Sequence, residues 1–420
     1  MASQELPKVR LLFTLIVLTA LLKAVMSLSD NSADHAMSSS CVAEIKKDES
    51  AASIMTSISP KVAGLINDPL PEMPLLPITS QATVLACRKL KVSSRDIFVC
   101  SYPKSGTTWT QNIVCRLLWE RTNDKSNKRI GHPLPEDWHL SHSAPFYEVD
   151  QYWQRSQCQD SQIDTNDDTN NNDNMEPLER LPATTPIISS TTDGLDDEYR
   201  VFNTHLLPHQ LPKSAKCVYV IRDPLDVMVS FYHHLSNQAV EDGGYTGGFE
   251  EFFKEFLDGT IVYGKWQDHI ESWLGRRNES VNDDNFLLLH YEDMKKDLSK
   301  EVRRLAQFLF NDDDKNNEKY DNQYLDEIVS RVVPHCTFDA MKGERKRYTP
   351  LSVSWRTNPE TGKPYDEFVR RGKVGDGKKI LLNTQISSAL KDRWIERDIP
   401  IAKARWKLAN IKQDIVDRYL

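Results

Sequence analysis

The sequence predicts an α/β fold of three layers, a central parallel sheet flanked by helices. Three observations carry that reading. Four short runs are continuously apolar, as strands buried on both faces must be: residues 97–101, 201–204, 217–221 and 286–290. The stretches between them show helical periodicity, so strands and helices alternate along the chain. The first run also leads into a loop of small and polar residues that opens directly into a helical stretch over 110–121. A loop at the carboxyl end of a parallel strand is where such sheets bind ligands.

The elements follow in order. Lys8 and Arg10 precede an apolar run over 11–22, closed by Lys23. That run suits a signal-peptide core better than a membrane span, which needs about 20 residues. Residues 1–28 are therefore a signal or anchor candidate, with membrane association through 11–28 as its consequence; a plain amphiphilic extension is the alternative. Residues 29–84 read as a linker, largely disordered, ending in Pro69, Pro71, Pro74 and Pro77. The domain proper spans 85–400. Its helices are expected over 225–235, 249–257, 266–274 and 298–309; in the last, Leu298, Val302, Leu305, Ala306 and Leu309 recur at helical spacing. The polar stretches 156–174 and 311–322 read as solvated loops, and their acidic residues match no calcium-loop spacing. The first is expected to be a mobile, negatively charged loop beside the mouth of the cleft. Residues 401–420 form a helical tail, basic over 403–420, with no assigned role.

Composition bounds the function. The chain has 420 residues, 39% hydrophobic, with a net charge of −8. That allows a sizeable core and argues against a general nucleic-acid binder, whose footprint would be basic. The 7 cysteines include no C-x-x-C pair and are read as buried free thiols of a reducing compartment. Without paired ligands a zinc site is not expected, and no metal is assigned.

The chemistry centres on Ser101-Tyr102-Pro103-Lys104-Ser105-Gly106-Thr107-Thr108-Trp109. Backbone N–H groups at a helix start, with the helix dipole behind them, bind phosphate. Gly106 allows close backbone approach, Thr107 and Thr108 add hydroxyls, and Lys104 adds a cation. The nucleotide-triphosphatase motif G-x-x-x-x-G-K-[ST] is absent, because the lysine precedes the glycine. Other residues gather at strand ends. His205 ends the second apolar run, where a histidine can act as general base, although a lone His is often a hydrogen-bonded core residue. Arg222 ends the third, and Ser230 follows on the next helix, whose start is marked by Pro224.

Four further segments accompany the loop: Asn203-Thr204-His205-Leu206; Ile221-Arg222-Asp223-Pro224 through Val229-Ser230-Phe231-Tyr232; His290-Tyr291-Glu292-Asp293-Met294; and Phe368-Val369-Arg370-Arg371-Gly372 with Gly375-Asp376. Together, over about 96–396, they resemble the cytosolic sulfotransferase family, which uses 3′-phosphoadenosine 5′-phosphosulfate (PAPS) as sulfuryl donor. The resemblance implies a P-loop-like domain and a transfer to a hydroxyl or amine of a small acceptor. It implies that Lys104 contacts the oxygen between phosphate and sulfate, that Ser105 to Thr108 hold the 5′-phosphate, and that His205 takes the acceptor proton. Arg222, Ser230, Arg370, Arg371 and Gly372 would bind the 3′-phosphate. Trp109, Tyr291, Phe338 and Met341 would contact adenine, the last two from the segment His335-Cys336-Thr337-Phe338 with Met341, which also places Cys336 and Thr337 among the cofactor-binding residues. The acceptor pocket is expected from Pro145-Phe146-Tyr147, His233 and His234. The family also implies a cytoplasmic protein; the alternative, through residues 1–28, is a membrane-anchored or secretory one.

The chain departs from the family pattern in three places. Asn203 stands where many members have Lys. Gly377 stands where the pattern has Trp, which is expected to leave that loop looser. The family's dimer motif is not matched over 378–387. A non-catalytic PAPS-binding protein is the alternative function, and a P-loop kinase a weaker one.

Overall fold

Four parallel strands form one sheet in the order β2-β1-β3-β4: β1 Asp96–Ser101, β2 Arg200–Thr204, β3 Lys216–Ile221 and β4 Phe286–His290. The computed structural model describes residues 73–125, 134–153, 199–213, 215–275, 283–310, 322–363, 365, 368–381 and 386–420. The two central strands are buried at every position, which is why they read as unbroken apolar runs. Pairing sets Ile97 beside Val201 and Lys216, and Ile221 beside His290, so all four carboxyl ends open on the same side.

Alternate residues of the strands feed two cores. Ile97, Val99, Val218 and Val220 face one core; Phe98, Cys100, Cys217 and Tyr219 face the other. The main helices, in chain order, are α1 Gln81–Lys89, α2 Thr107–Lys125, α3 Pro224–Asn237, α4 Phe249–Asp258, α5 Trp266–Leu274, α6 Tyr291–Lys296, α7 Leu298–Phe310, α8 Asn322–Val332, α9 Phe338–Gly343, α10 Asp376–Leu381, α11 Ile399–Leu408 and α12 Gln413–Tyr419, with short helical turns at Leu140–Ser143 and Ser388–Arg393. Ile113, Leu117, Val302, Leu305 and Ile328 from α2, α7 and α8 cover the first face. Val227, Phe252, Trp266, Trp406 and Val416 from α3, α4, α5, α11 and α12 cover the second. The three layers expected from the alternation are those found. α2 is buried on all sides over 110–118, and its polar residues find partners there: Gln111 Nε2 donates to the Ala144 carbonyl at 2.9 Å.

The chain ends of the domain differ from expectation. The packed structure does not begin at residue 85. Leu76 and Thr79 are buried, Ser80 caps α1 by accepting the Thr83 N–H, and Tyr263 donates its N–H to the Pro74 carbonyl at 2.7 Å. Prolines made 69–77 look like a linker, but Leu75, Leu76 and Ile78 between and after them close one core. The stretch 403–420 is likewise no appendage. Trp406 is fully buried against Trp266, and its Nε1 donates to the Gln267 carbonyl at 3.1 Å. Tyr419 donates to Glu292 Oε2 at 2.8 Å, and Arg418 holds Asp293 through two 2.9 Å bonds. The helix breaks at Asn410, which has φ +59°.

The five described cysteines, Cys87, Cys100, Cys115, Cys217 and Cys336, are free and buried. Among the described residues no helix is long and apolar enough to cross a membrane. The apolar segment 1–28, the linker to residue 72, the polar stretches 156–174 and 311–321, and residues 382–385 of the dimer-motif region lie outside the described residues.

A buried C-terminal segment should be indispensable. Trp406→Ala is expected to cost about 3–5 kcal/mol in denaturant unfolding, and deletion of 401–420 to abolish the cooperative transition. An unchanged melting curve after the deletion would show a dispensable tail.

Candidate active site

The chain leaves β1 to build β2 on one side and returns to build β3 on the other. Between β1 and β3 the connections diverge and leave a crevice at the carboxyl ends. The loops after these two strands supply its floor.

The loop after β1 turns through two left-handed residues, Lys104 at φ +66° and Gly106 at φ +114°. Gly106 is obligatory, since a Cβ there would lie 2.8 Å from Cδ2 of Tyr291. Lys104 is strained, by on the order of 1–3 kcal/mol. Its carbonyl is held by Nη1 of Arg222 at 3.2 Å. Tyr102 is fully buried and donates its hydroxyl to the Gly264 carbonyl at 2.8 Å, fixing the base of the loop. The first intrahelical bond of α2 runs from Thr110 N–H to the Gly106 carbonyl. The N–H groups ahead of it have no intrahelical acceptor, and the dipole of a long helix adds to their positive potential. Gly106, Thr107, Thr108 and Trp109 all line the cavity. Ser105 does not. Its N–H donates to the Tyr102 carbonyl at 3.2 Å and its side chain is fully buried, with a hydroxyl that has no hydrogen-bond partner among the described residues. The Thr107 hydroxyl is 2.7 Å from that of Ser101.

Lys104 reaches into the cavity with Nζ 4.1 Å from the centre of the Phe368 ring. Burial, then Arg222 and Arg370, lower its pKa to about 7. His205 stands across the same cavity at the end of β2. Its Nδ1–H donates to the Ser101 carbonyl at 2.7 Å, which leaves Nε2 as the basic nitrogen. The edges of Phe146 and Tyr263 hold the ring, at 5.2 and 5.1 Å between centroids. Burial lowers the imidazole pKa to about 3, so the ring is neutral at pH 7. Two buried groups hold its backbone: Glu148 Oε1 accepts the His205 N–H at 2.8 Å, and His269 Nε2 donates to its carbonyl at 3.0 Å. Burial raises the Glu148 pKa to about 7.

Arg222 is 8% exposed. Nη2 donates to the Lys373 carbonyl at 3.0 Å, and the guanidinium lies 4.2 Å from the centre of the Tyr291 ring. Its Nε is buried with no hydrogen-bond partner among the described residues. Ser230, two turns along α3, lines the cavity with Arg370, Arg371 and Gly372. Gly372 has φ +57°, and a Cβ would lie 2.5 Å from Cδ2 of Phe338. The cationic loop is thus laid against a wall of three aromatic rings and a thioether, Trp109, Tyr291, Phe338 and Met341. Cys336 and Thr337 stand behind that wall. The Cys336 carbonyl accepts Trp109 Nε1–H at 2.6 Å, and Thr337 Oγ1 caps α9 by accepting the Ala340 N–H. They orient the wall and do not line the cavity.

A sulfotransferase domain model matches residues 94–397. The chain belongs to the sulfotransferase family. Among curated relatives, the amine sulfotransferase of Oryctolagus cuniculus is 30% identical over 69% of this chain and 76% of its own. The luciferin sulfotransferase of Photinus pyralis is 31% identical over 68% of this chain and 67% of its own. A retinol dehydratase solved with androsterone and the inactive cofactor PAP is 21% identical, with a TM-score of 0.48 over 78% of this chain and 85% of that one. This sulfotransferase is an enzyme of sulfuryl transfer.

On the other side of the sulfotransferase cavity, Phe146 and His234 line the wall as expected. Tyr147 does not: it is buried in the core with its hydroxyl on the Cys87 carbonyl at 2.7 Å. His233 is exposed outside the cavity. Sequence reasoning missed Glu148, Tyr263 and Asp226. Asp226 was legible in part, as an acidic residue in the first turn of the helix that follows Arg222. Nothing local marked Glu148 as buried.

Gly106→Ala should lower unfolding stability by about 1–3 kcal/mol, through its φ and the Tyr291 contact. Thermal melting checks it; an unshifted transition would show that the loop relaxes freely.

Proposed function

We propose that this sulfotransferase moves the sulfuryl group of PAPS to a hydroxyl of a small, largely apolar acceptor. The observation that carries the reading is the pairing, in one cavity, of a phosphate-type loop bearing Lys104 with a neutral His205 whose Nε2 is left basic. The N–H groups from Gly106 onward suit the 5′-phosphate. The unpartnered Nε of Arg222, with Ser230, Arg370, Arg371 and Gly372, suits the 3′-phosphate. Trp109, Tyr291, Phe338 and Met341 suit a purine.

In the transfer, the acceptor oxygen bonds to sulfur as the bond from sulfur to the bridging phosphate oxygen breaks. The acceptor proton passes to His205 Nε2, and adenosine 3′,5′-bisphosphate leaves. Lys104 opposes the charge that grows on the bridging oxygen. Asn203 lines the cavity where the family often has Lys, and its amide offers a neutral donor in place of a cation.

The acceptor class rests on charge. The described carboxylates lining the cavity, Asp226 and Asp376, lie on the side of the 3′-phosphate residues. Phe146 and Tyr263 flank His205, and the cavity is further lined by Tyr152, Phe231 and Leu235 with the neutral polar side chains of Asn203 and His234. That wall favours a neutral phenol or alcohol over a cationic amine, whose charge it does not pair. A cytoplasmic location fits the five free thiols.

His205→Ala should lower kcat by about 10²–10⁴-fold with a phenol acceptor and radiolabelled PAPS. Binding of adenosine 3′,5′-bisphosphate should persist. Near-normal turnover would remove His205 from the role of base, and a faster reaction with an amine of the same size would overturn the acceptor reading.

Lys104 gives a second readout. The bisphosphate brings negative charge to a lysine held near pKa 7, and so raises that pKa. Between the free and bound values the complex holds more protons. Binding at about pH 8 should therefore take up protons, seen calorimetrically as an enthalpy that depends on buffer. Lys104→Met should lose the effect; a buffer-independent wild-type enthalpy refutes the assignment.

A further inference from the structure

The loop that carries Arg370, Arg371 and Gly372 continues into α10, and a buried carboxylate with no role in the chemistry lies beneath it. Asp226, in the first turn of α3, is 2% exposed. Its Oδ2 accepts the N–H of Gly375 at 2.9 Å, and its Oδ1 accepts that of Gly377 at 2.7 Å. The Arg222 Nη2 lies 3.7 Å from the same Oδ2 while donating to the Lys373 carbonyl. The loop backbone also rests directly on the helix. A Cβ at Gly377 would lie 2.2 Å from the Leu225 carbonyl carbon and 2.5 Å from the Asp226 nitrogen. No side chain fits there without moving backbone. The looseness expected from a glycine at 377 is therefore not found; the glycine is what lets the loop reach the carboxylate.

We propose that Asp226 is a positioning residue for the sulfuryl donor's 3′-phosphate, and that Gly377 is the condition for its action. Asp226 sets Arg222 and the 370–377 loop in one register, so that Arg222 and Arg370 meet the same phosphate. This rests on the assignment of those arginines to the 3′-phosphate.

The sign of one substitution separates positioning from mere proximity. A carboxylate that only neighboured the phosphate would repel it, and its neutralisation would tighten binding. A carboxylate that positions the loop must do the reverse. Calorimetry on the full chain would compare adenosine 3′,5′-bisphosphate with 5′-AMP for wild type, Asp226→Asn, Gly377→Ala and Gly377→Trp. Gly248→Ala, where a Cβ meets nothing within 4 Å, is the control.

Wild type and the control should prefer the bisphosphate. Asp226→Asn and Gly377→Ala should lose about tenfold or more of that preference, the scale of one charged hydrogen bond, with little change toward 5′-AMP. Gly377→Trp, which restores the family residue, should abolish the preference. Tighter bisphosphate binding by Asp226→Asn overturns the proposal. So does an unchanged preference in Gly377→Ala, the variant that carries the test if Asp226→Asn does not fold. A wild type without preference would instead overturn the assignment of the arginines.

Discussion

One guanidinium ties together three stretches of chain that are distant in sequence. Arg222 donates to the carbonyl of Lys104, donates to the carbonyl of Lys373, and lies over the ring of Tyr291. A buried cation must find partners, and the partners here are mostly neutral. Carbonyl dipoles and an aromatic face meet most of that need, the buried Asp226 carboxylate stands 3.7 Å from Nη2, and Nε is left without a hydrogen-bond partner among the described residues. The first sheet loop, the C-terminal cationic loop and the start of α6 are held in place by the same group that faces an anion. Shape and electrostatics in this site are therefore not separable properties.

The same economy governs the other ionisable groups. The protein as a whole is acidic, with a net charge of −8, yet the cavity gathers Lys104, Arg222, Arg370, Arg371 and Lys373. Such a cluster is tolerable because burial and mutual repulsion bring Lys104 to a pKa near 7. His205 is kept neutral by the same burial, and its backbone is pinned from both sides by Glu148 and His269. Of the two groups that handle charge during transfer, His205 starts neutral and Lys104 starts close to half protonated at pH 7. A polyanionic ligand then meets a site whose cations are held by walls more than by counterions.

Much of this was legible in the sequence. The four strands were found within a residue at each end, because a parallel strand buried on both faces leaves an unbroken apolar run. The helices over 225–235, 249–257, 266–274 and 298–309 were found for the complementary reason, an apolar stripe at helical spacing. The residues lining the cavity were legible through motif spacing. What failed was the distinction between a residue that faces a ligand and one that supports it. Ser105, Cys336 and Thr337 sit inside matching segments, but their polar groups serve a turn, a tryptophan and a helix cap. Spacing identifies a segment; only the fold decides where each backbone bond points. Composition misled in another way. Prolines at 71–77 and a basic end at 403–420 look detachable, while the apolar side chains among them close the core.

The last of these features bears on how the enzyme is made. Tyr419 and Arg418 fasten α6 through Glu292 and Asp293, and α6 begins with Tyr291, the ring beneath Arg222. Trp406 seals the core beside Trp266. Domains fold largely as units. Here the nucleotide side of the cavity is locked only once 403–420 has packed, so the docking of that segment and the completion of the site are one event.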